Sequence, residues 1–592
     1  MIRVNFFGKF IKTFEFIVVK QEYVLKRWTH NSPTKGYSYI HNVGKIPFMY
    51  NTIGDLVKWA ADKHPNRNAV IFREENEKLT FREFDDITNK WAAGLLSIGF
   101  KKGDKLAIWG PNTLDWYISF LGAAKIGVIS VCVNPVYQLP ELEYALKKSQ
   151  VSGIITIESY KKQNYFQILK QLCPEINNSN ADQLHCANVK NLQKIIVSTE
   201  NNLPGIYRWK DILELGNTYN KELLEESKRK IKPSDELCMQ FTSGTTGSPK
   251  VALFSHFNYV NNSFYAAQRF QFFDEQHIIC VQTPFFHAYA TVVGMLPALH
   301  TCSTLVVPAK IYTPLKTLEA IEKEKCTFVN GTPTMYIDLV NLQKEHKLNL
   351  NSLKVALSAA APCSPILFHD MKSVLKAKVV KSAYGMTESS AVLFQSLPEE
   401  SEHYATETVG HLQDHLEAKV VDENGDLVPF GTPGELHVRG YNIMLEYFDD
   451  IEKTQETKTK DGWLCTGDQF VLHENGYGQI VGRLKDMIIR GGENIFPKEI
   501  EDFLNTHPNI IESQVFGIND ERLGEEVAVG LRIVPGSSFS YNDLNEFCSN
   551  NIAKYKIPKY IAIVNEFPQT ASGKVQKFKL KEFYENNHDK FL

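Results

Sequence analysis

The run Thr242-Ser243-Gly244-Thr245-Thr246-Gly247-Ser248-Pro249-Lys250 packs two glycines, several hydroxyls and a lysine into one short stretch. Gly244 and Gly247 permit positive-φ turns that aim successive N–H groups into one concavity, for which a phosphate is the usual guest. Thr242, Ser243, Thr245 and Thr246 can donate hydroxyl hydrogen bonds, and Lys250 supplies a cation. The loop differs from a Walker phosphate loop, in which Gly-Lys-Ser/Thr follow directly, because Pro249 separates the glycines from the lysine. Its chemistry is therefore that of an anion cradle of another kind.

Four further segments follow in order. They are Tyr384-Gly385-Met386-Thr387-Glu388, Trp463 to Asp468 with Thr466-Gly467-Asp468 at its end, Gly482-Arg483-Leu484-Lys485-Asp486 running into Arg490-Gly491-Gly492-Glu493-Asn494, and Ser572-Gly573-Lys574. Each is short, but together with the cradle they resemble the ordered motifs of the adenylate-forming superfamily, which includes acyl-CoA synthetases, luciferases and peptide-synthetase adenylation domains. That chemistry joins a carboxylate to the α-phosphate of ATP, expels diphosphate and hands the acyl group to a thiol. Its first step requires crowded negative charge to be neutralised and two anions to be aligned.

The resemblance implies a role for each position. Thr242, Ser243, Gly244, Thr245, Thr246, Gly247 and Lys250 would hold the β- and γ-phosphates, with Thr246 at the reacting centre. Glu388 would be the Mg²⁺ carboxylate, since this cation takes one or two carboxylates together with phosphate oxygens. Tyr384 would stack on adenine beside Gly385 and Thr387, with Ser358-Ala359-Ala360-Ala361-Pro362 on the other side and Ala360 against the base. Asp468 would accept the ribose hydroxyls and Arg483 would add ribose or phosphate contacts. Lys574 would bridge the acid and the α-phosphate as charge develops. Rotation about Lys485 would then withdraw Lys574 and bring Gly491, Gly492 and Glu493 to the pantetheine arm of CoA. His287, in Pro284-Phe285-Phe286-His287-Ala288, matches an aromatic position beside the acyl and thiol approach, although its type fits a satisfied core histidine as well. Ala288, Ala290, Gly294 and the segment 329–336 are small or apolar enough for an acyl slot.

The resemblance narrows further. Ile488 to Pro497, Tyr555 to Tyr560, Val575 to Leu580, Leu96 to Gly99 and Val133 to Tyr137 look like the mitochondrial medium-chain acyl-CoA synthetases, over nearly everything after about residue 45. One position departs: Val251 stands where the superfamily has glycine. Should that position need positive φ, a β-branched residue would strain the cradle and weaken ATP binding. Three functions are thus in view. They are a medium-chain fatty acid–CoA ligase, an adenylating ligase for another carboxylic acid, and a catalytically weak ATP- or CoA-binding protein.

These residues must be positioned by a large fold. At 592 residues the chain exceeds one hydrophobic core and suggests roughly three or four core units. Strands at 106–109, 127–133 and 151–157 alternate with helices at 113–126 and 139–148, which implies a parallel sheet covered on both faces. A similar alternation recurs over 258–330. Residues 410–485 instead read as short antiparallel strands with tight turns, and 498–551 as a compact α+β unit. The fold class is α/β. It comprises a large N-terminal domain of doubly covered, mainly parallel sheets with a small β-barrel-like subdomain, then a small mobile α+β C-terminal domain. The expected division is 1–45 as an extension, 46–484 as the adenylation domain and 485–592 as the C-terminal domain, hinged at Lys485.

Composition excludes several classes. Hydrophobic residues make up 43% and charged residues 22%, with a net charge near −3, so no nucleic acid or strongly anionic surface is expected as a partner. The ten cysteines are scattered and read as reduced core residues, neither a disulfide framework nor a zinc site. The uncharged stretch 291–309 contains Pro297 and His300 and reads as a buried helix and strand, not a membrane span. Phe7, Phe10, Ile11, Phe14, Ile17 and Val18 fall at helical spacing, and residues 1–30 hold six Lys or Arg against two Glu. Such a start resembles a mitochondrial transit peptide and points to the matrix; an ordinary or membrane-surface helix, and a cytoplasmic protein, is the alternative. The expected partners are small molecules: a fatty acid, ATP with Mg²⁺, and CoA.

Overall fold

A computed structural model describes residues 36–242, 249–361, 363–483, 486–490, 493–520, 522–549, 551–570 and 575–587. Within them the chain builds two large sheets, a smaller antiparallel sheet and a C-terminal α+β unit.

The first large sheet has eight strands. Its centre is parallel: Glu236–Thr242, Ile129–Val133, Lys105–Trp109, Gly153–Ile157 and Lys194–Ser198 run side by side. Every residue of Ile129–Val133 is buried, as expected for a strand covered on both faces. The second sheet has nine strands, with Val379–Tyr384, Val355–Ala359, Phe328–Gly331 and Ile278–Val281 parallel at its centre. Helices Leu114–Lys125 and His256–Arg269 are buried on nearly all sides. They share one continuous core with Ile108 and Cys132 of the first sheet and Val281, Leu305 and Phe328 of the second. Both start on a side-chain cap, Thr113 accepting from the Trp116 N–H and Ser255 from the Asn258 N–H. The uncharged run 291–309 forms a π-helical turn, a short helix and a buried strand, and no helix among the described residues is long and apolar enough to cross a membrane.

The antiparallel sheet orders Tyr39–Asn42, Leu416–Val421, Gly434–Gly440, Leu464–Leu472 and Gly478–Arg483. Beyond it, Ile510–Asp520 and Gly524–Ile533 form a long hairpin, flanked by Ile488–Arg490 and Tyr560–Ile563 and packed by helices Pro497–Leu504 and Tyr541–Cys548. This unit has its own cores, around Val515, Val527 and Leu544 on one face and Phe516, Phe567 and Leu580 on the other.

Candidate active site

Parallel strands place their following loops on one edge, where ligands of open α/β sheets are received. On that edge, among the described residues, Thr242 Oγ1, Gln282 Oε1, Asn330 Oδ1 and Ser358 Oγ are buried without a hydrogen-bond partner. Each lies at or next to the C-terminal end of a strand in one of the two large sheets. A buried orphan costs roughly 1–3 kcal/mol, so a row of them marks where a polar ligand would be accepted.

The cradle is framed by a hairpin. Glu236–Thr242 and Lys250–Ser255 pair antiparallel, with Thr242 opposite Lys250 and Phe241 opposite Val251. Ser243, Gly244, Thr245, Thr246, Gly247 and Ser248 lie outside the described residues. The positive φ that would have strained Val251 is absent. Val251 is a fully buried strand residue packed with Trp109 and Met239, and it is not among the positive-φ positions. A β-branched side chain suits that extended, covered backbone.

Lys250 turns its ammonium onto the ring of Tyr447, 4.3 Å from the centroid, a cation–π contact. The Tyr447 hydroxyl in turn donates to Glu388 Oε1 at 2.7 Å. Burial and the Glu388 carboxylate both push the Tyr447 phenol well above its ordinary value, so it remains a donor. Glu388 is itself buried, and its carbonyl accepts the Met444 N–H at 2.8 Å. Sequence reasoning missed Tyr447: Glu446-Tyr447-Phe448 carries no motif, and the pairing spans 59 residues.

The segment carrying Glu388 is held under backbone constraint. Val379–Tyr384 ends at Gly385, where a Cβ would lie 2.0 Å from the Ala391 carbonyl oxygen, so only glycine fits. Thr387–Ser389 forms a 3₁₀ turn, then Ser390 and Ala391 take φ of 48° and 86°. Asn262, on the buried helix, pins this turn by donating to the Ser390 carbonyl at 2.8 Å. Strained non-glycine residues persist where surrounding contacts over-determine them.

Tyr384 reaches the antiparallel sheet. Its hydroxyl donates to Asp468 Oδ2 at 2.6 Å, and burial with the neighbouring carboxylate raises its phenol well above the usual value. Arg483 stands directly opposite Asp468 in the strand pair, its Nε 3.1 Å from Oδ1. Both Asp468 oxygens are thus engaged by protein groups that a ribose would have to share or displace. The turn before Asp468 is fixed by Gly467, at φ 68°, whose N–H donates to Glu435 Oε1 at 3.0 Å. Ala360 has φ 71° and follows Ala359, which is in register with Ala383 on the neighbouring strand. Ala360 and Tyr384 therefore leave adjacent parallel strands on the same edge, a slot suited to a flat base.

His287 is half-buried on the loop after Ile278–Val281, its ring centroid 4.1 Å from that of Phe286. Ala288 and Ala290 are buried beside it. Gly294 serves packing instead of an acyl slot, because its missing Cβ would meet Val281 Cγ2 at 2.4 Å. Tyr336 likewise faces the sheet, its hydroxyl within hydrogen-bonding distance of the carbonyls of both Val329 and Leu357. Glu493 pairs with Arg490 in the hairpin Ile488–Arg490/Glu493–Ile495. Lys485, Gly491, Gly492, Lys574 and the N-terminal 35 residues lie outside the described residues.

The short segment Tyr384–Glu388 therefore carries two groups of contacts, Arg483–Asp468–Tyr384 at its start and Glu388–Tyr447–Lys250 at its end. The donor set around Glu388, one buried carboxylate with one oxygen held by a phenol, fits a Mg²⁺ ion completed by phosphate and water. Comparison with known proteins bears on the family of the chain as a whole. The chain matches the AMP-binding enzyme family over residues 57–448 and the AMP-binding enzyme C-terminal domain over 499–574. It is 41% identical over 553 residues to the mitochondrial medium-chain acyl-CoA ligase ACSF2 of Danio rerio, covering 93% of this chain and 91% of that one. It is 37% identical to the putative acyl-CoA synthetase YngI of Bacillus subtilis, covering 90% and 97%. Among solved structures, the anthranilate CoA ligase AuaEII in complex with anthranoyl-AMP superposes with a TM-score of 0.79 at 23% identity, over 92% of this chain and 99% of that one.

Proposed function

The chain belongs to the AMP-binding enzyme family, and from that premise we propose that it is a medium-chain fatty acid–CoA ligase. It converts ATP, a fatty acid and CoA into acyl-CoA, AMP and diphosphate through an acyl-adenylate. The observation that carries this reading is that the segment Tyr384–Glu388 bears two contact groups, Arg483–Asp468–Tyr384 at one end and Glu388–Tyr447–Lys250 at the other.

In this mechanism Tyr384 and Ala360 receive the adenine while Asp468 and Arg483 fix the ribose. The loop 242–250 wraps the β- and γ-phosphates, with Thr246 at the reacting end. Glu388 would hold Mg²⁺, which supplies charge neutralisation on the phosphate oxygens. Lys574 reaches both the fatty carboxylate and the α-phosphate, where negative charge crowds in the transition state. His287 lines the acyl and thiol approach. The division at Lys485 lets the C-terminal domain, residues 485–592, turn after adenylation, so that Gly491, Gly492 and Glu493 receive the pantetheine arm. The similarity to ligases named medium-chain and mitochondrial supports both that chain length and a matrix location, and the basic N-terminal segment supports the latter. With Val251 seated in a strand, nothing favours a catalytically weak binding protein.

Thioester formation from ATP, Mg²⁺, CoA and straight-chain or aromatic acids tests the proposal. Activity peaking at medium-length chains and abolished by Lys574→Ala supports it; activity confined to aromatic acids, or none from folded protein, overturns it.

A further inference from the structure

Away from the reaction edge, one group of side chains has no place in the mechanism. Among the described residues, Cys173, Glu175 and Cys186 form the one set of three metal-ligating types whose donor atoms all lie within 4.8 Å of one another. Both cysteines are buried and neither is in a disulfide. Cys173 ends the helix Tyr165–Leu172 and begins the 3₁₀ turn Pro174–Asn178, which carries Glu175. Cys186 comes from the irregular segment leading to strand Lys194–Ser198.

The local backbone holds the three together. Leu172, the last helical residue, offers its carbonyl to Asn188 Nδ2 at 2.7 Å and to the Cys186 thiol at 3.8 Å. Glu175 Oε1 accepts the Ala187 N–H at 3.4 Å. The Glu175 carboxylate and the Cys186 thiol both lie within hydrogen-bonding reach of the Cys173 thiol, so the three donor groups already stand together, with Glu175 half-buried.

We propose that Cys173, Glu175 and Cys186 bind a thiophilic divalent cation, zinc by the donor set, which ties the segment 179–193 to the end of the preceding helix. Two sulfurs and one carboxylate oxygen are the borderline-soft combination that zinc selects over Mg²⁺ or Ca²⁺. Tetrahedral zinc, with Zn–S near 2.3 Å, places its donors roughly 3.3–3.8 Å apart, so closing separations of at most 4.8 Å takes shifts of no more than about 1.5 Å. The two thiols lose their protons to solvent on binding, the carboxylate enters as the anion, and water takes the fourth position. The spacing Cys-Pro-Glu followed by a distant cysteine resembles no zinc-finger pattern, which is why the cysteines read from the sequence as mere core residues.

Topology gives the site its role. The cradle follows the C-terminal end of Glu236–Thr242, whereas Cys173 and Cys186 lie on the return toward the N-terminal end of Lys194–Ser198, on the opposite edge of the same parallel sheet. The cation is thus a staple and takes no part in adenylation.

The full chain, reduced and incubated with zinc sulfate, would be freed of excess metal and assayed for zinc by mass spectrometry, with Cys186→Ser, Glu175→Gln and the remote Cys548→Ser alongside. The proposal predicts about one zinc per chain in the wild type and Cys548→Ser, loss in Cys186→Ser, and several-fold weaker retention in Glu175→Gln. Cobalt substitution should give thiolate-to-metal charge-transfer absorption in the wild type alone of the wild-type and Cys186→Ser pair. Circular dichroism and unchanged ligase activity establish that the variants fold. Equal zinc in wild type and Cys186→Ser, no zinc in either, or a Cys173–Cys186 disulfide that persists under reductant would each overturn it.

Discussion

Tyr447 is the residue on which the site's two halves turn, because it contacts both the cradle lysine and the expected metal carboxylate. Its hydrogen bond to Glu388 is charge-assisted, a type that contributes about 1.5–3 kcal/mol. Tyr447→Phe keeps the ring beneath Lys250 and removes only that bond. It should raise the Mg²⁺ concentration for half-maximal activity roughly tenfold or more; an unchanged Mg²⁺ titration would refute the positioning role. A second residue-level prediction concerns His437, 3.3 Å from Glu435, which anchors the Gly467 turn. Burial works to lower the His437 pKa, but Cys465 and Glu435 outweigh it and hold it at about 9, above the ordinary 6.5. The contact therefore contributes fully below about 6.5 and is lost as pH rises through about 9. Denaturant melts of wild type and His437→Gln should differ most near pH 6 and converge towards pH 10. A gap independent of pH would exclude the charged contact. Glu388, Asp468 and Arg483 were legible in the sequence because motif spacing marks them. Tyr447 and Glu435 were not, since a single tyrosine or glutamate gains meaning only when a distant strand brings it alongside.

Elements read more easily than their junctions. The strands and helices over 105–157 emerged from alternating apolar bursts, and helix Leu139–Lys148 matches its expected ends. The strand Leu464–Leu472, which carries Asp468, falls within the antiparallel region expected over 410–485, and the structure absorbs Gly467 as an irregularity within the strand. Val251 was left open by the sequence, since strain followed only if the position needed positive φ; pairing with Phe241 fixes it as extended. Val251→Gly should accordingly cost about 2–4 kcal/mol in denaturant unfolding, from lost burial and added backbone entropy, without raising activity. A more active and equally stable variant would restore the strained-loop reading. Gly385→Ala should be far worse for function, because its methyl would displace the Ser390–Ala391 turn that supports Glu388. Loss of adenylation with a retained fold is expected, and near-normal kinetics would contradict the tight approach.

At the scale of the whole molecule, the C-terminal unit has cores of its own and the two large sheets share another. We therefore expect residues 36–483 alone to fold cooperatively, bind ATP and fail to adenylate, since Lys574 is absent; a fragment that forms acyl-adenylate would remove Lys574 from the mechanism. Sequence reasoning reached this architecture because the ordered motifs span the chain from 242 to 574. The acyl slot escaped it, because Gly294 and Tyr336 looked available as linings and in fact serve packing between helix and sheet. The most direct test of the account follows acyl-CoA formation across straight-chain acids for wild type, Lys574→Ala and Glu388→Gln. The account predicts a maximum at medium-length chains, loss in Lys574→Ala, and a strong fall in Glu388→Gln that added Mg²⁺ partly restores. Thioester formation that survives Lys574→Ala, or no thioester from any acid by folded wild-type protein, would contradict it.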